Sequence, residues 1–134
     1  MIAVVCIDDN KGMTFNHRRQ SRDRLLIADL MALCGDRTIY MNEYSQALFT
    51  DYSDRITVSE DYLEQAGDED ICFVEREDIV PYADRLKGLI LYRWNRVYPY
   101  STTFDVDLSG FTLQSTAEFA GSSHDTITRE EYTR

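Results

Sequence analysis

Residues 1–23 read MIAVVCIDDNKGMTFNHRRQSRD. Residues 2–7 are a continuous apolar run rich in β-branched side chains, closed by Asp8-Asp9-Asn10. That pattern predicts a strand buried on both faces, at the centre of an α/β sheet. Asn10-Lys11-Gly12 is a turn signal, and residues 13–20 are expected to form an ordered loop. Ser21 is the expected N-cap of the helix that follows, with Asp23 in its first turn, where the helix dipole favours an anion. The helix is expected to run to about Cys34 and to stop at Gly35. At helical spacing Leu26, Ile27, Leu30, Leu33 and Cys34 form one apolar stripe. Asp23 projects near the middle of that stripe and Asp29 lies on its flank. A carboxylate aimed into an apolar face is uncommon, so Asp23 reads either as a local cap or as a ligand-facing acid.

Outward from this stretch, residues 38–41 predict a second strand, 43–49 a short helix, and 55–58 a third strand. Ser59 is the expected N-cap of a helix over 60–66. Residues 67–70 are a turn and 71–74 a strand. Residues 77–86 are partly helical, with Pro81 near the start or at a kink. Residues 87–95 read as a strong strand and 98–101 as loop. Two extended runs, 111–119 and 125–133, are joined by Gly121-Ser122-Ser123 and predict a closing antiparallel pair. Early alternation of strands and helices followed by paired strands predicts an α/β fold: a mostly parallel central sheet flanked by helices, with a C-terminal antiparallel pair. The strand from Ile2 is expected at the centre, flanked by those near Ile39 and Ile71 in either order.

The length, 134 residues, suits one domain spanning 1–134, and 43% hydrophobic content is enough for a core. No apolar run is long enough to cross a bilayer. Met1-Ile2-Ala3-Val4-Val5-Cys6-Ile7 is too short for a signal peptide and has no basic region before it, so a cytoplasmic protein without a membrane partner is expected. Cys6, Cys34 and Cys72 are far apart in apolar contexts and read as reduced, packed thiols. His17, His124 and the cysteines show no ligand spacing, so no metal is expected. Ser122-Ser123-His124-Asp125 is not a catalytic triad, because sequence neighbours cannot take up triad geometry; it reads as a turn.

Net charge is −10, with thirteen Asp or Glu against two basic residues between Asn42 and Asp84. Arg18, Arg19, Arg22 and Arg24 form an isolated positive spot. The chain lacks the broad basic face of a nucleic-acid binder, and no nucleic-acid partner is expected. The arginine run reads as a solvated patch, as an anion site beside the helix N-terminus, or as a nucleic-acid contact.

The order of elements resembles the dihydrofolate reductase family along nearly the whole chain. Residues 1–13 resemble that family's first strand and mobile active-site loop. Pro81-Tyr82-Ala83-Asp84-Arg85-Leu86 and the strand after it resemble its late helix-to-strand passage. Thr102-Thr103-Phe104-Asp105 resembles its Thr-x-Phe-Pro, and the last two runs its closing hairpin. The resemblance implies a carboxylate at the start of the first helix that holds the pterin. Asp23 is the match, with Asp29 second. Arg18-Arg19-Gln20-Ser21 replaces the tryptophan-proline context before that acid. Tyr92 stands where a pterin-facing threonine is expected and would fill the pocket.

On the cofactor side the chain departs from the family. Asn42-Glu43 replaces Gly-Arg, Ser59-Glu60 replaces Ser-Arg, and Glu75-Arg76 follows the strand that in the family leads to Gly-Gly. Each exchange would oppose a polyphosphate. The expectation is a dihydrofolate-reductase-like fold without a usable NADPH site and with no cofactor. It would bind a small anionic ligand in the cleft beside residues 13–23 through Arg18, Arg19, Gln20, Ser21, Tyr92 and Thr102, with Asp23 fixing a donor group. The alternatives are an active NADPH-dependent reductase of dihydrofolate or a related pterin with altered cofactor contacts, and a non-catalytic structural or interaction protein.

Overall fold

The apolar run at the start forms strand β1 (Ile2–Ile7), the middle strand of a seven-stranded sheet in the computed structural model, which describes residues 1–134. Ala3, Val5 and Ile7 face one core and Val4 faces the other, so the strand is covered on both sides. In chain order the remaining elements are β2 (Gly12–Phe15), β3 (Arg18–Arg19), α1 (Arg24–Leu33), β4 (Ile39–Met41), α2 (Glu43–Gln46) and β5 (Ile56–Val58). Then come α3 (Tyr62–Gln65), β6 (Ile71–Val74), β7 (Gly88–Arg93), β8 (Thr102–Thr103), β9 (Thr112–Phe119) and β10 (Ile127–Thr133), with 3-10 turns at Thr50–Arg55, Val80–Arg85 and Leu108–Gly110.

The large sheet runs β5-β4-β6-β1-β7-β10-β9. Its first five strands are parallel, and β10 and β9 close it antiparallel. The fold is therefore α/β with a mostly parallel sheet and a C-terminal antiparallel pair. The neighbours of β1 differ from expectation. β6 lies on one side, with Ile2 opposite Ile71, but β7 lies on the other, and the strand at Ile39 pairs with β6 instead. The crossover from β6 to β7 passes β1 and fills the position next to it. Strand strength in a sequence carries no information about that placement.

Helix α1 packs Leu26, Ile27, Leu30 and Met31 onto one face, against Val4, Phe73, Tyr92 and Trp94. Met31 takes part in the buried stripe, while Leu33 packs only at its margin. The opposite face is covered by Tyr62 and Leu63 of α3 with Leu86, Phe104 and Val106.

Residues 13–20 are not a loop. β2 and β3 form a hairpin that pairs with β8 in a second, three-stranded sheet. Its two-residue turn has Asn16 at φ 51° and His17 at φ 63°. Positive φ at both central positions is the type I′ geometry, which matches strand twist; asparagine tolerates it well and histidine less so. The helix start also differs from expectation: Asp23, not Ser21, is the N-cap of α1.

Candidate functional site

The chain leaves β1 toward β4 on one side and returns to β7 on the other, so the order reverses at β1. In open α/β sheets, ligands bind outside the carboxyl ends of the strands at such a point. Here those ends meet the β2–β3 hairpin, the N-terminus of α1 and residues 94–100.

Asp23 is 4% exposed. Its Oδ1 accepts from the backbone N–H of Leu25 (3.0 Å) and Leu26 (3.2 Å), closing the first turn of α1. The same carboxylate accepts from the N–H of Ser122 (2.9 Å) and Ser123 (2.7 Å) and from both serine hydroxyls. His124 completes the cradle, with Nδ1 3.2 Å from Oδ2. Burial pushes the Asp23 carboxyl up, but the N–H groups of Ser122 and Ser123, His124 and the Leu26 N–H outweigh it. The net effect holds the carboxyl well below the usual carboxylate range. Asp23 is thus a cap and a clamp on residues 121–124, and its acceptor sites are taken up by its own chain.

His124 is buried, stacked on Trp94 at 4.5 Å, and its Nε2 lies 2.7 Å from the Tyr98 hydroxyl. Asp23, His124 and Tyr98 therefore form a continuous hydrogen-bonded row spanning three distant parts of the chain. Gly121 makes the close approach possible: a Cβ there would lie 2.3 Å from Asp23 Oδ2 and 2.8 Å from Ile127 Cδ1. Gly121→Ala is expected to lower stability by about 3 kcal/mol in urea unfolding, through overpacking and a displaced carboxylate. A midpoint unchanged from wild type would show that the 121–124 turn is not held in this way.

Asp8 ties the other elements together. Oδ1 accepts from the N–H of Asn10 (2.8 Å) and Gly12 (2.7 Å), while Oδ2 accepts from Gln20 Nε2 (3.1 Å) and the Tyr98 N–H (3.1 Å). With its amide nitrogen so engaged, Gln20 has a buried Oε1 without a partner.

Arg19 and Arg18 part company because adjacent strand residues face opposite sides. Arg19 crosses to the end of β6, where Nε and Nη2 donate to the two Glu75 oxygens at 2.8 and 2.9 Å. It also lies 4.1 Å over the Tyr44 ring, with Arg76 at 3.9 Å from the same ring. Glu75 accepts in addition from Ser45 Oγ (2.8 Å). Arg18 is exposed and makes no ion pair.

Of the other expected site residues, Tyr92 and Thr102 are engaged elsewhere, while Ser21 stays beside Asp23. Tyr92 is fully buried and donates to Asp29 Oδ2 (2.7 Å), and Arg129 Nη1 holds both Asp29 oxygens at 2.7 Å. Asp29, Tyr92 and Arg129 thus form a cluster joining α1, β7 and β10. Thr102 Oγ1 accepts from the Thr14 N–H (3.1 Å) and joins β8 to β2. Ser21 is half-buried at the edge of the small cavity beside Asp23.

Beyond β4 and β5, Asn42 caps α2 through Ser45 N–H (2.9 Å) and donates to both Glu77 oxygens at 3.1 and 3.0 Å. The Tyr62 hydroxyl also donates to Glu77, and the Glu43 N–H donates to Glu60 (3.0 Å). No group of three or more His, Cys, Asp or Glu side chains is arranged to hold a metal ion.

Two spaces remain. Between Asp23, Glu75, Phe73 and Trp94 lies a cavity of about 20 Å³, room for about one water. Outside it an open trough of about 490 Å³ is lined by Phe15, Asn16, Arg18, Arg19, Gln20, Tyr98 and Pro99. Sequence reasoning named the arginines and Gln20 but not Phe15, Tyr98, Glu75 or His124. A glycine followed by two serines and a histidine, three donor residues in a row after one without a side chain, was the available signal that a carboxylate would be cradled there.

No family model matches the sequence, and no curated protein matches it. Among solved structures the chain is similar to a dihydrofolate reductase from Enterococcus faecalis complexed with NADP(H) and RAB-propyl. The match covers 99% of this chain and 95% of that chain at TM-score 0.69 and 11% sequence identity. The fold is dihydrofolate-reductase-like. No helix is long and apolar enough to cross a membrane.

Proposed function

We propose that this dihydrofolate-reductase-like chain serves as a binding protein for a small anionic ligand, taken in the trough beside the β2–β3 hairpin, and that it does not use NADPH. One observation carries the reading. In a chain with 24 Asp and Glu, the trough is lined by no carboxylate and by two arginines. The other large depressions each carry at least one acid, and the one beside α3 carries Glu60, Asp61, Glu64, Glu77 and Asp78. A cation in an acid-free recess of an otherwise anionic surface concentrates small anions there.

Arg18 supplies the unpaired guanidinium. Asp23 is saturated by its own chain, so it does not supply the acceptor expected of it. The ligand has an anionic end for Arg18.

The residues present do not fit NADP(H), which the structural neighbour holds. By the family resemblance, the positions that would face a phosphate carry Glu43, Glu60 and Glu75; the Glu43 N–H is already paired with Glu60, and Arg19 is engaged by Glu75. A pterin would also need far more than the 20 Å³ beside Asp23.

A thermal-shift and calorimetric series with small carboxylates, phosphates, NADPH and dihydrofolate tests this. Any ligand of the native state raises the midpoint by mass action. Small anions are expected to do so, with affinity falling about tenfold or more in Arg18→Ala, the loss of one charge-assisted contact. A low-micromolar NADPH isotherm, or an anion shift that survives Arg18→Ala, would overturn the proposal.

A further inference from the structure

We infer that the trough selects a planar aromatic anion, an aromatic ring bearing a carboxylate or phosphate, and uses Phe15 as its stacking surface. The inference rests on the anion-binding reading and names the class of ligand for it.

Register and turn geometry argue for this together. Phe15 is directly opposite Arg18 across the β2–β3 ladder. Opposite residues of an antiparallel pair point to the same face, with Cβ atoms roughly 5 Å apart. The ring of Phe15 and the guanidinium of Arg18 are therefore side by side, and both line the trough. The tight turn at Asn16-His17 makes this placement rigid, since a type I′ turn fixes the register of the two strands it joins.

Phe15 is 43% exposed, whereas the other phenylalanines are buried or half-buried. A phenyl ring held on a tight hairpin at the edge of a recess that Tyr98 and Pro99 also line gives a flat ring a face to stack on. Tyr98 is itself held in place, by its N–H to Asp8 and its hydroxyl to His124. The trough therefore offers an exposed aromatic ring, further surface from Tyr98 and Pro99, and one unpaired cation beside the ring. The complementary ligand has a flat face for Phe15 and an anionic substituent within reach of Arg18. An aliphatic anion satisfies the cation and leaves the ring wet.

The test uses matched pairs on the full chain: benzoate against cyclohexanecarboxylate, and a purine nucleoside monophosphate against ribose 5-phosphate. Affinity is read by calorimetry in wild type, Phe15→Ala and Arg18→Ala. Each aromatic member is expected to bind about tenfold tighter than its partner, the effect of one stacking contact. Phe15→Ala should erase that difference by weakening the aromatic member of each pair toward the affinity of its partner. Arg18→Ala should weaken both members of each pair alike. A preference shown by either pair supports the inference, and the pair showing the larger preference says whether a carboxylate or a phosphate is the natural substituent. Equal affinity within both pairs, or a preference that persists in Phe15→Ala, overturns the inference and leaves the anion-binding reading standing. No binding of any of the four overturns both.

Discussion

Asp23→Ala is expected to destabilise the chain by about 3–5 kcal/mol, a large share of the stability of a domain this size. The loss comes from what is left behind. Without the carboxylate, the N–H groups of Leu25, Leu26, Ser122 and Ser123 and the Nδ1 of His124 lose a common acceptor, several of them away from water. The cap on α1 alone accounts for about 1 kcal/mol. The rest is the clamp between residues 23 and 121–124, which holds the end of the C-terminal hairpin against the first helix. Asp23→Asn is expected to recover little, since its amide would present donors to a cradle made of donors.

The same network sets an acid limit on stability. The folded Asp23 carboxyl titrates below its value in the unfolded chain, which is about 3.9. Its contribution is thus complete above that value and is lost as pH falls through the folded one. Urea midpoints of wild type should therefore fall steeply below about pH 4, and those of Asp23→Ala should fall less. Parallel profiles for the two proteins would show that the carboxylate is not the group responsible.

The parts of this fold that are legible in sequence are those written in local pattern. The apolar run at residues 2–7 marks a doubly buried strand, the alternation after it marks a parallel sheet, and the late extended runs mark the hairpin. Composition also reaches the site, because Arg18 and Gln20 stand out beside a helix start in an acidic chain. The dual identity of Asp23, cap or ligand-facing acid, is visible from helical periodicity, but the choice between them is not. It depends on Ser122, Ser123 and His124, about a hundred positions away and delivered by the register of β10 on β9. The partner of Arg19 is illegible for the same reason. Glu75 reads as a departure on the cofactor side, with no partner in view, until β6 takes its place beside β1. The β2–β3 hairpin is hidden because its strands are too short for a period-2 pattern and its turn uses histidine where glycine would announce it.

Arg19 and Glu75 should respond unequally to mutation. The pair is doubly hydrogen-bonded, with side-chain exposures of 17% for Arg19 and 9% for Glu75. Arg19→Ala leaves a nearly buried carboxylate whose remaining side-chain partner is the Ser45 hydroxyl, and should cost about 3–5 kcal/mol. Glu75→Gln keeps the shape and one acceptor oxygen, and leaves a guanidinium that already lines the trough and can turn toward water. Its cost should be nearer 1 kcal/mol. Arg19 would then border the trough without a neutralising carboxylate, so Glu75→Gln should bind small anions more tightly than wild type does. Arg19→Ala should not gain affinity. Urea unfolding of the two variants and of the double variant, with calorimetry using benzoate, measures both effects. Additive destabilisation would mean that the pair is not a coupled bridge. Unchanged anion affinity in Glu75→Gln would mean that Arg19 stays fixed on Tyr44 and never reaches the trough. If both effects appear, Glu75 is the group that keeps half of the trough's positive charge out of use, and the strength of the site is governed from the end of β6 rather than from the hairpin that forms its wall.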